Sequence, residues 1–547
     1  MTKKYGPPQN QLETRSNFLG KGTFGEVTSV KDNESIVAKT FLKNTEIEYT
    51  TFREIAALKA LNGLPNIVNL VEVKTDKFAI TIYLTRYKHD LHDYVKYSFD
   101  EIDENFVKEA MFQILNGLQV MANRDLYHRD IKPANILVNH DTLEFAIADW
   151  GSSRKGSIDN TGRGDIRDDL PRVLYDNKYS LEVGTISYVS PELALHNMFS
   201  GKAAYDIEVD VWSTAMILCY IVNGKPLINT FDYKDVLRSI FRIFGSGSID
   251  KKFEDDNVGE NKDGNDYWML GLDYKEKVPV NEILKTDNEE LLDLFSKMTK
   301  LNPKERITIS EALNHEYFEG LEPSERSYPV LKRVETVDLR NYEEYKPILL
   351  AASKNTKAKW WNITSGWAIE LLNSKVIQSQ ELFFISFDIF ERYIRKVYLK
   401  SHEIQLAYIC CLQIADIMIG DLVDIEHYLS YMKGEGREDE ANQKVLDIMK
   451  LLDYNLYSST EYDYLKALIK KDYMNDMFTK ETSEILLVEG VNIMKHLITN
   501  IDTRDLTRKE IAEFALQMAV NRVSEEQNNF GYEPFSDVLN EVYKSYK

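Results

Sequence analysis

Cysteine is scarce in this 547-residue chain, with three in all: Cys219, Cys410 and Cys411, the last two adjacent in an apolar run. Three thiols cannot build a disulfide framework, so a reducing compartment is expected and with it an intracellular, cytoplasmic or nuclear, location. Long hydrophobic runs are missing too. No stretch of about 20 apolar residues offers a membrane span, and the opening MTKKYGPPQNQLETR holds no apolar signal segment. Positive charge is short: 67 Lys and Arg stand against 88 Asp and Glu, a formal net charge of −21. That balance disfavours wholesale binding to nucleic acid or to an anionic membrane. No solenoid-length repeat recurs.

What remains is the composition of a soluble chain able to bury a core, with 43% hydrophobic and 28% charged residues. At about 150 residues per domain the length predicts three to four units, or two large ones. The pattern divides in two. Residues 15–84 read as strands with one helical stretch over 46–61; beyond Asp90, helical periods alternate with loops as far as Phe318. The polar stretch 322–345 reads as a linker. From about Trp360 the period is helical throughout, as in Leu382, Ile385, Ile389, Phe390, Tyr393 and Ile394. Three polar segments, 155–178, 245–264 and 433–442, read as surface insertions, the third too rich in Gly, Glu and Asp to pack.

Gly20, Gly22 and Gly25 follow one expected strand and precede another that begins at Val27. Glycines at this spacing let a hairpin lie close over an anion, with backbone N–H groups turned to phosphate oxygens. On its own the pattern also marks dinucleotide folds and ordinary turns. A dinucleotide fold needs a helix next, but Ile36-Val37-Ala38-Lys39 follows, a strand ending in lysine. That is the order of a kinase cleft, where the lysine reaches the α- and β-phosphates. Most lysines are merely solvated; one that closes an apolar strand just behind a glycine loop has a better use. A cation held in a cleft needs a counter-ion, and the amphipathic stretch 50–61 supplies Glu54.

The string His128-Arg129-Asp130-Ile131-Lys132-Pro133-Ala134-Asn135, followed by Asp149-Trp150-Gly151, decides the reading. Phosphoryl transfer needs a carboxylate to accept the proton of the attacking hydroxyl, and Asp130 fits. A neutral amide oxygen and a carboxylate, Asn135 and Asp149, suit the Mg²⁺ that screens a triphosphate. Lys132 would balance charge on the moving phosphoryl group.

Over about 15–318 the chain therefore resembles the eukaryotic-type protein kinases, and Lys132-Pro133-Ala134-Asn135 resembles the serine/threonine version. The resemblance implies a bilobal α+β fold, ATP and Mg²⁺ as cofactors, and protein substrates. It places Val27, Ala38, Leu84, Thr85, Tyr87 and Asp90 around the nucleotide, with Leu84 as gatekeeper and Asp90 beside the ribose. It sets Thr185 between Asp130 and Lys132, and pairs Arg306 with Glu192. The stretch around Glu54 and the run Phe241-Arg242-Ile243-Phe244 resemble the cyclin-dependent kinases. In that subfamily three arginines clasp a phosphate; their counterparts are Arg53, Arg129 and Arg154, and the residue aligned with the phosphorylated one is Ser180. There are departures. Phe24 stands where an inhibitory tyrosine is common, Trp150 replaces a phenylalanine, and Gly184, Ser187 and Val189 replace valine, tryptophan and arginine.

The second half resembles a cyclin. Residues 381–394 are similar to an early helix of the cyclin box, 405–416 to its central small-residue helix, and 451–456 to its closing segment. The residues with which cyclins typically hold a kinase correspond to Asp416 and Val445. The organisation expected is an N-terminal tail 1–14, a kinase domain 15–320, a linker 321–345, an all-α cyclin-like domain 346–460 and a helical segment 461–547, with a second, degenerate box as a further expectation there. Such a chain is similar to the kinase–cyclin fusions of large DNA viruses, and it implies activation in cis by the tethered cyclin-like half. The competing expectation is a scaffold, or pseudokinase, whose helical half recruits a partner kinase or substrate.

Overall fold

A computed structural model describes residues 18–21, 25–31, 33–42, 49–76, 79–155, 184–198, 205–245, 276–321, 354–374, 376–377, 379–419, 425–432, 437–474, 480–500 and 507–527. Gly22, Ser180, the tail 1–14, the stretch 322–345 and most of the insertions 155–178 and 245–264 lie outside the described residues. The described chain falls into two compact units, one holding its residues up to 321 and the other those from 354 onward.

In the first unit, β-branched and aromatic residues fill Asn33–Leu42 (β3) and Ala79–Thr85 (β5), which pair at the centre of a five-stranded antiparallel sheet. Its order is β1–β2–β3–β5–β4, with β1 Phe18–Lys21, β2 Glu26–Val30 and β4 Leu70–Thr75. Between β3 and β4 runs α1, Tyr49–Leu61. Phe52, Ile55, Ala56, Ala57, Leu58 and Leu61 are spaced right round its axis, and all six are buried.

The lower part of this unit is helical. Asp90 caps α2 (Leu91–Ser98) and Asp103 caps α3 (Glu104–Ala122), each carboxylate accepting a backbone N–H of the first turn. After α4 (Pro191–Met198), α5 (Glu208–Asn223) is buried from Val209 to Ile221 and forms the centre of the lobe with Trp212, Phe241 and Phe295. A helix apolar on all sides is a buried helix. Further helices are α6 (Tyr233–Phe244), α7 (Val280–Ile283), α8 (Glu289–Met298) and α9 (Ile309–Leu313). Short strands complete the lobe: β6 (His89–Asp90) with β8 (Ile136–Asn139) and β9 (Glu144–Ile147), and β7 (Leu126–Tyr127) with β10 (Arg154–Lys155).

The turn after α1 is stitched to this lobe through Asn66, whose φ of 59° is left-handed. Its amide donates to Gln113 Oε1 (2.9 Å) and Phe145 O (3.0 Å) and accepts from Asn116 (2.7 Å), all buried. The sheet and the helices are thereby held in one register across the cleft.

Among the described residues the second unit has helices as its only regular elements: α10 Lys354–Asn373, α11 Gln380–Ile394, α12 Ile404–Ile419, α13 Ile425–Leu429, α14 Glu438–Leu451, α15 Glu461–Met474, α16 Lys480–Asn500 and α17 Arg508–Gln527. At its centre α12 is buried along its length: its Tyr408 ring lies against Phe387 and Phe390 of α11, and its Cys410 Sγ meets Ala441 O of α14 at 3.5 Å. Burial pushes the Cys410 thiol up to about 12, so these cysteines are packing groups. One expectation is corrected here. Residues 438–442, placed in a segment too polar to pack, form the first turn of α14. Glu438, Asp439 and Glu440 suit the positive end of a helix dipole, and Ala441 is fully buried.

Residues on either side of 460 belong to the same compact unit. Asp388 of α11 is buried and is bound by Arg392 at 3.1 Å, by Ser458, and by Arg508 of α17. Phe384 of α11 stacks on Tyr462 of α15 with ring centroids 5.5 Å apart. Burial alone would raise the Asp388 carboxyl, but the two arginines outweigh it and hold it below the usual carboxylate range.

Candidate active site

The upper wall of the cleft comes from the sheet and α1. Lys39 of β3 is 5% exposed, and its Nζ lies 2.6 and 2.8 Å from the two Glu54 oxygens and 3.0 Å from Asp149 Oδ1. Burial opposes the ammonium, but Glu54 and Asp149 together more than compensate and hold Lys39 above its ordinary value. Glu54 is pushed up to about 7, first by burial and then by Asp149, with Lys39 pulling the other way. The folded chain thus holds this proton more tightly than the unfolded chain between pH 4.5 and about 7, and Glu54 lowers stability as pH rises through that window. Above it the Lys39–Glu54 pair is fully ionic. The stability advantage of wild type over Glu54→Gln, followed by thermal melts from pH 4.5 to 8, is therefore expected to shrink as pH rises toward 7; a difference flat across that window contradicts the assignment.

Register corrects one member of the expected nucleotide wall. Val27 of β2 pairs with Lys39, which pairs with Ile82 of β5, and Val37 pairs with Leu84. Side chains alternate along a strand, so Val27, Val37, Lys39 and Leu84 share one face while Ala38, paired with Thr28 and Tyr83, points to the other. Val37, not Ala38, lies beside the lysine. Gly25 is a close-approach glycine: a Cβ there would meet Thr40 O at 3.0 Å and Phe41 Cδ1 at 3.2 Å. Thr85 gives its N–H to Asn69 O at 3.1 Å, and Asp90 spends an oxygen on the Asp93 N–H at 2.8 Å, its carboxyl raised chiefly by burial.

The lower wall is the loop after β7. Asp210, in the first turn of α5, accepts the N–H of His128 at 2.9 Å and of Arg129 at 2.8 Å. This grip fixes Arg129 at φ 66°, a left-handed conformation that costs a non-glycine residue roughly 1–3 kcal/mol. Burial pushes Asp210 up to about 7. Next along the loop, Asp130 Oδ1 accepts from Thr185 Oγ1 at 2.6 Å, and Oδ2 accepts from Lys132 Nζ at 2.6 Å and Asn135 Nδ2 at 3.2 Å. Lys132 also donates to Thr185 at 2.9 Å, closing a triangle. Asn135 and Asp149 are linked through their neighbours by the Ala148 N–H to Asn135 O bond at 2.9 Å. Asp149 is left-handed too, at φ 62°. The turn it opens buries Trp150 against the edge of the His128 ring, centroids 4.8 Å apart.

Gly184 explains a departure noted above: at φ 90°, a Cβ there would come 3.1 Å from Arg129 O and from Val189 Cγ2. Only glycine lets the segment before Thr185 press onto the catalytic loop. Farther down, Arg306 pairs with both Glu192 oxygens at 2.7 and 3.1 Å, with both side chains buried. Arg53, Arg129 and Arg154 are buried as well. Arg154 pairs with Tyr127, two residues before Arg129; Arg129 donates to Ser152 O at 2.8 Å; and α1, which carries Arg53, packs on the 150–152 turn. The three thus sit on neighbouring elements. Sequence reasoning missed Tyr205, whose hydroxyl accepts from Arg129 at 2.8 Å; a lone tyrosine ahead of a helix gives no local signal.

A small antiparallel sheet with one helix, set over a helical lobe and meeting it at a lysine–glutamate pair and an acid–lysine–amide loop, defines a two-lobed phosphotransferase. Residues 14–318, more than half of the chain, match the protein kinase domain, and the chain belongs to that family. Membership implies a nucleoside triphosphate, a divalent metal and protein substrates. The donor set fits: one amide and one carboxylate, both hard oxygen ligands, are what a Mg²⁺ that keeps waters and phosphates requires. Among the described residues no group of three or more His, Cys, Asp or Glu forms a protein-only metal cage, and no helix is long and apolar enough to cross a membrane.

Proposed function

We propose that the chain is a serine/threonine protein kinase that uses ATP and Mg²⁺ and is controlled by its own helical half. The observation that carries the first part is the Asp130–Thr185–Lys132 triangle, which aims one carboxylate while keeping a cation beside it. Lys39, steadied by Glu54, binds the α- and β-phosphates. The hydroxyl oxygen of a serine or threonine attacks the γ-phosphorus, its proton passes to Asp130, and the bond to the β–γ bridging oxygen breaks, so that ADP leaves. Lys132 balances the negative charge on the phosphoryl group in flight. Asn135 and Asp149 would hold Mg²⁺, which when bound screens the triphosphate.

Control in cis is supported by the second unit. The all-helical second unit, with a small-residue helix at its centre, suits a cyclin-like regulator, and a tether raises its effective concentration toward the millimolar range. Asp416 and Val445 stand at the positions with which cyclins usually hold a kinase and are neither the lysine nor the glutamate found there, so the proposed docking uses altered contacts. Placement of Arg53, Arg129 and Arg154 on neighbouring elements supports a phosphate-binding role, for which phosphorylated Ser180 is the proposed ligand.

Truncating the chain near Ser324 tests the control. The kinase half alone is expected to have little activity, restored when the helical half is added back; full activity of the half alone rejects the reading. Ser180→Ala is expected to lower activity, and an unchanged rate removes Ser180 from the account.

A further inference from the structure

We propose that Tyr205 is a positioning residue for the catalytic loop, holding Arg129 so that Asp130 stays aimed without a phosphate in the arginine cluster. The inference rests on the kinase reading and deepens its regulation. Arg129 immediately precedes Asp130, so whatever fixes the arginine fixes the acid. Its backbone N–H is held by Asp210 and its side chain by three acceptors: Ser152 O at 2.8 Å from Nε, Tyr205 Oη at 2.8 Å from Nη1, and Ser153 O at 3.5 Å from Nη2. All three acceptors are neutral, and the whole side chain is 2% exposed.

Tyr205 itself is 6% exposed and stands five residues before Asp210. One segment leading into α5 therefore grips Arg129 twice, at the main chain and at the guanidinium. The two bonds act on different atoms of a residue already in a left-handed conformation, φ 66°. Removing the side-chain hold leaves a buried cation one acceptor short beside the catalytic acid. A guanidinium carries five N–H donors, so the tyrosine occupies one and leaves others for a phosphate. Phosphorylation then strengthens a geometry that Tyr205 already maintains, instead of creating it.

The test compares full-length wild type with Tyr205→Phe, each before and after phosphatase treatment checked by mass spectrometry, with kcat and KM for ATP measured separately. Loss of a hydrogen bond to a charged group is expected to cost about tenfold or more in rate. Dephosphorylated wild type is expected to keep its kcat within about threefold, a change of under 1 kcal/mol. Dephosphorylated Tyr205→Phe is expected to lose at least about tenfold in kcat at unchanged KM, and to regain most of it on rephosphorylation. A tyrosine that served only packing would lower the melting temperature without creating this dependence on phosphate. Equal kcat for the two dephosphorylated proteins overturns the proposal, and so does a wild type silenced by phosphatase. The second result is readable even if Tyr205→Phe fails to fold. Failure of the Ser180 reading shows separately, as activity that never responds to Ser180→Ala.

Discussion

Asp130→Asn is expected to lower kcat by about 10²–10⁴-fold, the usual contribution of a positioned general base, with little change in KM for ATP. Asparagine is nearly isosteric, and its one oxygen can still accept from Lys132 and Asn135 while its NH2 donates to Thr185 Oγ1, so the loop keeps its shape while the proton loses its destination. The nucleotide contacts proposed for Lys39 lie on the other wall and are untouched. A loss shared equally between kcat and binding would instead mean that Asp130 serves structure. Steady-state kinetics on the full chain, with circular dichroism to confirm folding, separates the two.

The second large effect is on stability. Arg508→Ala removes one of two arginines from the buried Asp388 carboxylate, a group 1% exposed at its side chain. Breaking a buried pair from one side costs about 3–5 kcal/mol. Arg508 keeps 24% of its side chain exposed and Arg392 remains, so the lower end, about 3 kcal/mol, is expected. In a unit of this size that is about 6–12 °C in the melting temperature of the helical half, read by calorimetry on the full chain. The sign with pH follows. Because the folded carboxyl lies below its unfolded value near 3.8, its contribution is present above that value and is lost as pH falls through the lowered one. The deficit of Arg508→Ala should therefore shrink in acid. A deficit constant across the carboxylate range would mean that Arg508 acts through packing alone.

Asp388 and Arg508 also mark where reading the chain stops. They are 120 residues apart, and nothing in either helix's periodicity points to the other. The groups proposed as catalytic were readable for the opposite reason. Asp130, Lys132 and Asn135 lie within six consecutive residues, Lys39 ends an apolar strand, and the glycines sit at fixed spacing, so short-range chemistry revealed them. Ala38 was misplaced because likeness to a family motif was followed where strand alternation, also readable, favoured Val37. Residues 438–442 were misjudged because acidic composition was weighed without its position at a helix start. Tyr205 and Asp210 act on Arg129 from more than 70 residues away. Fold class and the core of the site thus follow from local pattern, whereas the residues that brace them follow from packing.

The central claim is that one cleft transfers phosphate to protein alcohols. Incubating the full chain with ATP labelled at the γ-phosphorus, Mg²⁺ and a mixed peptide array, then hydrolysing the products, measures it directly. The account predicts phosphoserine and phosphothreonine, dependent on Mg²⁺ and lost in Asp130→Asn. Labelled tyrosine alone, or no labelled peptide with wild-type protein that binds ATP, would contradict it.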